Sequence, residues 1–239
     1  MTDFADKVDI WQVPLDRPPA EAAWLRSLLT PEEMRKADGF HFEKDRRRYA
    51  VARGALRAIL AERVGAAPEA LRFTLGSHGK PFLTGGPEFN LSHCEDLALI
   101  AVAPAGRAVG VDAEKVRSFR DMRSIEERYF SVEERAFLAA AASADKPRAF
   151  LTLWTRREAA AKALGLDLQA ALTRVRLPLY DAGGSAALSD PAGQGSGPWY
   201  LQDLPLDHEH VAALCAQGPA CGVVLHEATE ADFHGPRLR

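Results

Sequence analysis

The pattern of apolar and polar positions predicts helices in two regions of the chain. In the first region, residues 30–33 (Thr-Pro-Glu-Glu) form a capping box with proline at the first helical position. A longer helix is predicted over residues 44–64, because apolar side chains recur there at helical spacing. In the second region, capping boxes at Ser124 and Ser131 precede a predicted helix over residues 147–164, which the following glycine can end.

Between these helices lie short apolar segments of the kind that form strands. They cover residues 8–13, 71–75, 97–103, 107–112, 174–179, 199–204 and 211–216. Residues 104–106 (Pro-Ala-Gly) predict a hairpin or a joint between subdomains. Residues 181–198 are rich in Gly, Ser, Ala and Pro, which predicts a flexible excursion without chemistry. Helices and strands do not alternate regularly and no glycine-rich fingerprint follows a strand, so the predicted fold class is α+β.

Composition narrows the class of protein. The 239 residues, 47% hydrophobic and 26% charged, suffice for a large core, and the net charge of −3 gives no overall attraction to nucleic acid. No apolar run reaches the roughly 18–20 residues that a membrane helix needs, and residues 1–6 lack the features of a signal peptide. Three cysteines without a CxxC pair indicate reduced thiols. We therefore expect a cytoplasmic protein that binds neither nucleic acid nor a membrane.

The segment Val109-Gly110-Val111-Asp112-Ala113-Glu114 offers a candidate metal site. In an extended segment, Asp112 and Glu114 point to the same side because they are two residues apart. Carboxylate oxygens in such a pair suit Mg²⁺, whose coordination shell substrate phosphates can complete. An isolated Asp-x-Glu is more often the solvated end of a strand, so the pair alone does not establish a metal site.

A helical motif later in the chain supplies a second candidate. Trp154, Glu158 and Lys162 are spaced by four residues and therefore share one face of a helix. A glutamate four residues before a lysine is also a common surface ion pair, worth only about 0.3–0.5 kcal/mol. Residues 159–161 are all alanine. Such small neighbours allow another element or a ligand to approach the pair closely.

Basic residues are concentrated in residues 44–57, which contain six lysines and arginines and one acid in a chain that is acidic overall. Such a run indicates a compact anion or an acidic protein surface as partner, although a solvated helix face explains these residues equally well. Further groups that can bind phosphate are Lys36, Lys80 in the turn Gly79-Lys80-Pro81, and the pair Ser92-His93.

Taken together and in order, these motifs resemble the 4′-phosphopantetheinyl transferases of the Sfp type. The matching segments are Gly79-Lys80-Pro81, Phe89-Asn90-Leu91-Ser92-His93, Val109 to Glu114, Tyr129-Phe130-Ser131-Val132-Glu133-Glu134, Trp154 to Lys162, and Leu206-Asp207-His208-Glu209-His210. The similarity runs from about Pro31 to Ala216. One position departs from the family: it usually has lysine directly before the helix glutamate, where this chain has Arg157, which keeps the charge on a planar, bulkier group.

The resemblance implies a reaction and a set of site residues. The implied enzyme moves the phosphopantetheine arm of coenzyme A to a serine of an acyl or peptidyl carrier protein and releases 3′,5′-ADP, with Mg²⁺ or Mn²⁺ as cofactor. The implied metal ligands are Asp112, Glu114 and Glu158; Glu158 is also the implied base for the serine, directly or through a water, and Lys162 the group that binds the α-phosphate and stabilises the departing oxygen. The residues implied to hold the 3′-phosphate and adenine end are Lys36, Arg53, Lys80, Ser92 and His93.

The resemblance also implies two pseudo-symmetric α+β subdomains that form one pseudo-dimeric chain, a monomer with coenzyme A in the cleft between them. Residues 1–106 would bind the nucleotide end, and residues 107–239 would carry the metal and catalytic motifs. A weak internal echo between residues 91–98 and 206–212 is consistent with this division. Two alternatives remain at this point. One is a Mg²⁺-dependent nucleotide or phosphoester hydrolase, and the other is a basic-patch binding module without catalysis.

Overall fold

The computed structural model describes residues 7–76, 79–179, 183–189 and 198–229. Within these ranges the helices are α1 (Pro19–Ser27), α2 (Pro31–Asp38), α3 (Glu43–Val64), α4 (Met122–Tyr129), α5 (Val132–Ala140), α6 (Lys146–Leu164) and α7 (Leu168–Arg174). The strands are β1 (Lys7–Pro14), β2 (Thr74–Leu75), β3 (Pro81–Phe82), β4 (Glu88–Cys94), β5 (Leu97–Ala103), β6 (Val109–Lys115), β7 (Ser185–Ser189), β8 (Pro198–Asp203), β9 (His210–Gln217) and β10 (Gly222–Glu227). None of the described helices combines the length and the apolar character that crossing a membrane requires.

Two four-stranded sheets, with orders β10-β1-β5-β4 and β6-β9-β8-β7, form the centre of the fold. The two halves of the chain repeat one arrangement. In the first half, β1 pairs antiparallel with β5, which pairs antiparallel with β4. In the second half, β6 pairs antiparallel with β9, which pairs antiparallel with β8. In the sequence, a run of helices lies between β1 and β4 in the first half and between β6 and β8 in the second. The α+β class is therefore confirmed, and the repeat is consistent with two pseudo-symmetric subdomains.

The two sheets pack face to face, with a helix on the outer side of each. The core between the sheets includes Ile10 and Leu99 of one sheet and Val111 and Leu214 of the other, all at most 1% exposed. The long helix α3 covers the outer face of the first sheet, and α6 covers the outer face of the second. Removing this apolar surface from water is the main force that joins the two halves.

The last described strand joins the sheet of the first half. Strand β10 pairs with β1 in parallel, in the register Lys7↔Gly222 to Gln12↔Glu227. In sequence, residues 222–227 belong to the predicted second subdomain, 107–239, whose boundary with 1–106 stays a prediction. The sequence does not predict this pairing of β10 with β1, because the residues of an apolar strand do not identify the distant strand with which it pairs.

The structure confirms most of the predicted helix starts. The side chains of Thr30 and Ser131 each accept a hydrogen bond from the backbone N–H three residues later, as a capping box requires. The box predicted at Ser124 is wrong. Helix α4 already begins at Met122, and the Ser124 hydroxyl donates back to the carbonyl of Asp121.

The structure corrects or refines three of the predictions made for strands and loops. Residues 174–179 form no strand, because α7 extends to Arg174 and an irregular segment follows. Residues 104–106 join β5 to β6, which lie in different sheets, so they form the joint and not a hairpin. Within the segment 181–198, predicted to be flexible, Ser185–Ser189 form β7 because they pair with β8; residues 181–182 and 190–197 lie outside the described residues.

Candidate active site

The position of the site depends on how closely β6 approaches α6. A Cβ atom added to Gly110 would stand 2.2 Å from the carbonyl oxygen of Ala159 and 2.3 Å from the backbone nitrogen of Ala163. Only glycine fits such a contact. Ala159, Ala160 and Ala161 are buried, so the small residues of this helix serve the close approach of another element, one of the two uses that the sequence predicted for them.

This approach brings together three of the predicted site residues. Oδ1 of Asp112 on β6 accepts hydrogen bonds from the Ser92 hydroxyl on β4 at 2.8 Å and from the Lys162 ammonium on α6 at 2.6 Å. The same ammonium donates to the Ser92 oxygen at 3.0 Å. Asp112 is only 5% exposed. The three side chains therefore form a hydrogen-bonded cluster around a buried carboxylate, and this cluster joins both halves of the chain.

The second oxygen of Asp112 has a different environment. Oδ2 is buried and has no hydrogen-bond partner among the described residues. Burial raises the pKa of Asp112, while Lys162 and Ser92 act in the opposite direction. A carboxylate oxygen left without a donor at this depth costs free energy, so a bound cation or donor would stabilise it.

The negative charge of Asp112 acts on two other carboxylates, Glu114 and Glu158. Burial and the negative charge of Asp112 raise the pKa of Glu114 to about 7. The same two causes raise the pKa of Glu158, although Lys162 opposes them. Within the described ranges, no set of three or more His, Cys, Asp or Glu side chains is arranged as a ready-made metal site. The three carboxylates are thus close enough for the charge of Asp112 to raise the pKa values of the other two, and Lys162 occupies one oxygen of Asp112.

A cavity of about 570 Å³, the N-terminal cavity, opens next to this cluster in the first half of the chain. It is lined by the predicted residues Lys36, Arg53 and His93 and by further residues that include Thr30, Glu32, Glu33, Tyr49, Arg57, Arg72, Phe73 and Asn90. Burial and the charge of Lys162 lower the pKa of His93, although Asp112 opposes them. The imidazole is therefore neutral at pH 7 in the free protein.

Arginines of the basic run are held at the wall of this cavity by one glutamate. Glu33 accepts from Nε of Arg53 at 2.5 Å and from Nε of Arg57 at 2.6 Å. The two guanidinium groups also lie over the ring of Phe73, 4.4 and 5.0 Å from its centroid. Nearer the start of α3, Arg48 forms a two-pronged ion pair with Asp16. Three arginines of the basic run are thus held in intramolecular ion pairs, and two of them, Arg53 and Arg57, line the cavity.

Lys80 lies apart from the other predicted phosphate-binding residues. Its ammonium donates to the carbonyl oxygen of Val109 at 2.7 Å, and burial lowers its pKa. Its neighbours Gly79 and Pro81 line the N-terminal cavity. Lys80 therefore ties the turn to β6, and its proposed contact with phosphate requires the ammonium to leave this carbonyl.

Arg157, the departure from the family pattern, faces away from the carboxylates. Its Nη2 donates to Oε1 of Glu134 at 2.6 Å, and both side chains are 3% exposed. Its guanidinium also lies 5.3 Å from the centroid of Phe130. The charge retained at this position thus serves a buried ion pair with the capping-box glutamate of α5.

Comparison with known proteins identifies the family. A family model described as the 4′-phosphopantetheinyl transferase superfamily matches residues 108–215, and one described as 4′-phosphopantetheinyl transferase, N-terminal, matches residues 17–105. The curated 4′-phosphopantetheinyl transferase HetI of Nostoc sp. is 34% identical over 224 residues, which are 91% of each chain. The chain belongs to the 4′-phosphopantetheinyl transferase superfamily.

Other curated relatives of this transferase agree. The 4′-phosphopantetheinyl transferase psf-1 of Bacillus pumilus is 30% identical over 82% of each chain. The human L-aminoadipate-semialdehyde dehydrogenase-phosphopantetheinyl transferase is 27% identical over 84% of this chain and 72% of its own. The predicted enzyme class, a phosphopantetheinyl transferase, is confirmed. Neither the hydrolase nor the non-catalytic binding module finds support in these relatives.

The sequence reasoning missed several residues that shape the transferase site. Asn90 accepts the backbone N–H of Val111 with its side-chain oxygen at 2.9 Å, which links β4 to β6. Glu33 and Phe73 hold the arginines of the cavity wall. A signal existed for Glu33, because a capping-box glutamate uses one oxygen for the cap and leaves the other for a basic partner. No sequence signal distinguished Phe73 from an ordinary core residue.

Proposed function

We propose that this transferase binds coenzyme A across its two halves and donates the phosphopantetheine arm to a serine of an acyl or peptidyl carrier protein. The observation that carries the proposal is the position of the Ser92–Asp112–Lys162 cluster beside a cavity lined by Lys36, Arg53 and His93. Coenzyme A carries a 3′-phosphate, an adenine and a pyrophosphate. The cavity suits the first two groups, and the cluster suits the pyrophosphate.

Asp112, Glu114 and Glu158 would hold Mg²⁺, or Mn²⁺, whose preference for oxygen ligands is similar. The residues fit such an ion because Oδ2 of Asp112 is buried without a partner among the described residues and its charge raises the pKa of Glu114 and Glu158. When bound, the metal supplies positive charge that offsets the charge of the pyrophosphate. The sequence-derived ligand set is therefore retained as a proposal.

The protein's own side chains would move the proton and stabilise the leaving group. Glu158 accepts the proton of the carrier serine, directly or through a water. The serine oxygen bonds to the β-phosphorus of coenzyme A as that phosphorus loses its bond to the bridging oxygen. Lys162 donates to the α-phosphate of the departing 3′,5′-ADP.

The acidic surface of a carrier protein is the partner we propose for the exposed basic residues at the start of α3. Lys44 and Arg47 are exposed there, although Arg47 also lies 3.7 Å from Oδ1 of Asp16, while Arg48, Arg53 and Arg57 are held in ion pairs. The electrostatic attraction of an acidic carrier protein to this surface is therefore weaker than the full basic run suggests. We propose that the enzyme acts as a monomer in the cytoplasm, since the two halves of one chain supply the whole cluster.

Mass spectrometry of several apo carrier proteins, incubated with the enzyme, coenzyme A and Mg²⁺, tests this function. We expect one phosphopantetheine group to be added to one serine, with equal release of 3′,5′-ADP. Asp112→Asn and Glu158→Gln should abolish the transfer, and Glu127→Gln, on the exposed face of α4, should leave it unchanged. Release of 3′,5′-ADP without a carrier would instead support the hydrolase.

A further inference from the structure

The second half of the chain contains a cavity of its own, which we name the C-terminal cavity. Its volume is about 490 Å³, and it opens between the start of α5, helix α6 and the segment that follows α7. Its lining includes the charged residues Arg128, Glu133, Glu134, Arg157 and Arg176, together with Ser131, Val175, Leu177 and Leu179. The proposed reaction uses none of them.

The C-terminal cavity repeats the capping-box wall of the N-terminal cavity. Thr30, Glu32 and Glu33 line the first, and Ser131, Glu133 and Glu134 line the second. In both halves the last glutamate of the box caps its helix and also binds an arginine of the long helix. The two cavities are therefore counterparts under the pseudo-symmetry of the fold.

A second segment in the wall of the C-terminal cavity also matches a segment in the wall of the N-terminal cavity, position by position. Leu71-Arg72-Phe73-Thr74-Leu75 in the first half matches Val175-Arg176-Leu177-Pro178-Leu179 in the second, as apolar–Arg–apolar–x–Leu. The first, second, third and fifth residues of each segment line their own cavity. The second half has thus retained both the basic residue and the apolar residues that face the nucleotide in the proposed function of the first.

The central arginines differ in one respect that points to a ligand. Arg57, besides its bond to Glu33, donates to the carbonyls of Pro68 and Leu71 at 2.7 and 3.3 Å. In Arg157, which is 3% exposed, Nε and Nη1 are buried and no other described residue accepts from them. A buried donor without a partner loses its bonds to water and gains none in return. Acceptor oxygens placed in the cavity beside Arg157 would replace these bonds.

The charges around the cavity favour an anion. Arg128, Arg157 and Arg176 line it together with Glu133 and Glu134. Glu134 is already paired with Arg157, and Arg176 acts on the exposed Glu133. One positive charge therefore remains in excess. We propose that the C-terminal cavity binds the phosphate group of a small molecule, held by Arg157 and Arg176, with the apolar part of that molecule against Leu177 and Leu179.

Two probes and a matched pair of variants test this site. Inorganic phosphate and phenyl phosphate are titrated by calorimetry into the enzyme saturated with coenzyme A, at constant ionic strength in chloride. We expect one saturable site that binds phenyl phosphate more tightly than inorganic phosphate, because only the ester has an apolar part to place against Leu177 and Leu179; equal affinities would overturn the contact with these leucines. Arg176→Ala should weaken binding by about tenfold or more, since a charge-assisted hydrogen bond is lost.

Arg72→Ala is the matched control, because Arg72 is the counterpart of Arg176 in the N-terminal cavity and is also exposed. It should leave the affinity for phenyl phosphate unchanged. Arg157→Lys keeps a cation for Glu134 but removes Nε and Nη1, the two donors without a described partner. It should therefore also weaken binding while the protein stays folded. The proposal is overturned if neither probe saturates, or if Arg176→Ala and Arg157→Lys bind as the wild type does. Failure of coenzyme A to bind would count against the proposed function alone, since the two alanine variants still separate the two cavities.

Discussion

The ammonium of Lys162 lies 2.6 Å from Oδ1 of Asp112, although 50 residues separate the two in the chain. Each side chain offsets the cost of burying the other, and Ser92 bonds to both. A phosphate bound here would compete with Asp112 for the same ammonium. The free enzyme thus holds Lys162, the proposed phosphate-binding lysine, in place by means of a carboxylate that is itself a proposed metal ligand.

Lys162→Met should affect both stability and transfer. Asp112 would lose its cationic partner while remaining buried, so we expect the free energy of unfolding to fall by about 1–3 kcal/mol in urea titrations. The transfer rate should fall by about 100-fold or more, because the leaving phosphate loses its donor. Lys162→Arg keeps the charge and should recover most of the stability. A methionine variant with unchanged stability and rate would contradict this relationship.

Gly110→Ala should disrupt the contact between β6 and α6. The added Cβ would meet backbone atoms at 2.2 and 2.3 Å, which cannot rotate away as a side chain would. We expect a loss of about 3 kcal/mol or more in the free energy of unfolding, together with lost coenzyme A binding. Gly39→Ala is the control. Its nearest contacts are 3.4 and 3.5 Å away and its φ is −71°, so its stability should stay within about 1 kcal/mol of the wild type.

Glu33 should account for part of the acid sensitivity of the fold. Burial by itself would raise its pKa, but hydrogen bonds from Arg57, the backbone of Thr30 and Arg53 outweigh burial and lower the pKa to about 2. The ordinary value is 4.5, so this stabilisation is complete above about pH 5 and is lost as the pH falls towards 2. It amounts to about 3 kcal/mol.

Urea unfolding between pH 2 and 6 checks this prediction. Glu33→Gln should flatten the dependence of stability on pH in that range, whereas Glu32→Gln, on the exposed side of the same helix, should keep the slope of the wild type. An equal slope in all three proteins would show that Glu33 is not the titrating group.

Binding of coenzyme A should be accompanied by proton uptake at His93. Burial and Lys162 hold its pKa below 6.5 in the free enzyme, and a phosphate placed beside it would raise that pKa. Calorimetry near pH 6.5 in two buffers with different heats of ionisation measures the uptake, which His93→Gln should remove. Identical heats in both buffers for the wild-type enzyme would argue against contact between His93 and a phosphate.

The sequence predicted the elements whose causes are local. The capping boxes at Thr30 and Ser131, helix α3 and the shared face of Asp112 and Glu114 all follow from spacing over a few residues. It could not predict β7, because Gly, Ser and Ala favour a loop until β8 offers a partner for pairing. The assignment of Ser92 to phosphate binding stays a prediction; the sequence could not show that its hydroxyl lies between Asp112 and Lys162.

The pairing of β10 with β1 constrains how the enzyme can be made on the ribosome. The strands β1, β4 and β5 emerge during the first half of translation, but the neighbour on the other edge of β1 is synthesised more than a hundred residues later. Until then the nascent first sheet has an open edge that is exposed to other chains. Completion of the N-terminal sheet is therefore a late event, and a ribosome that stalls before residue 222 leaves a chain prone to aggregate.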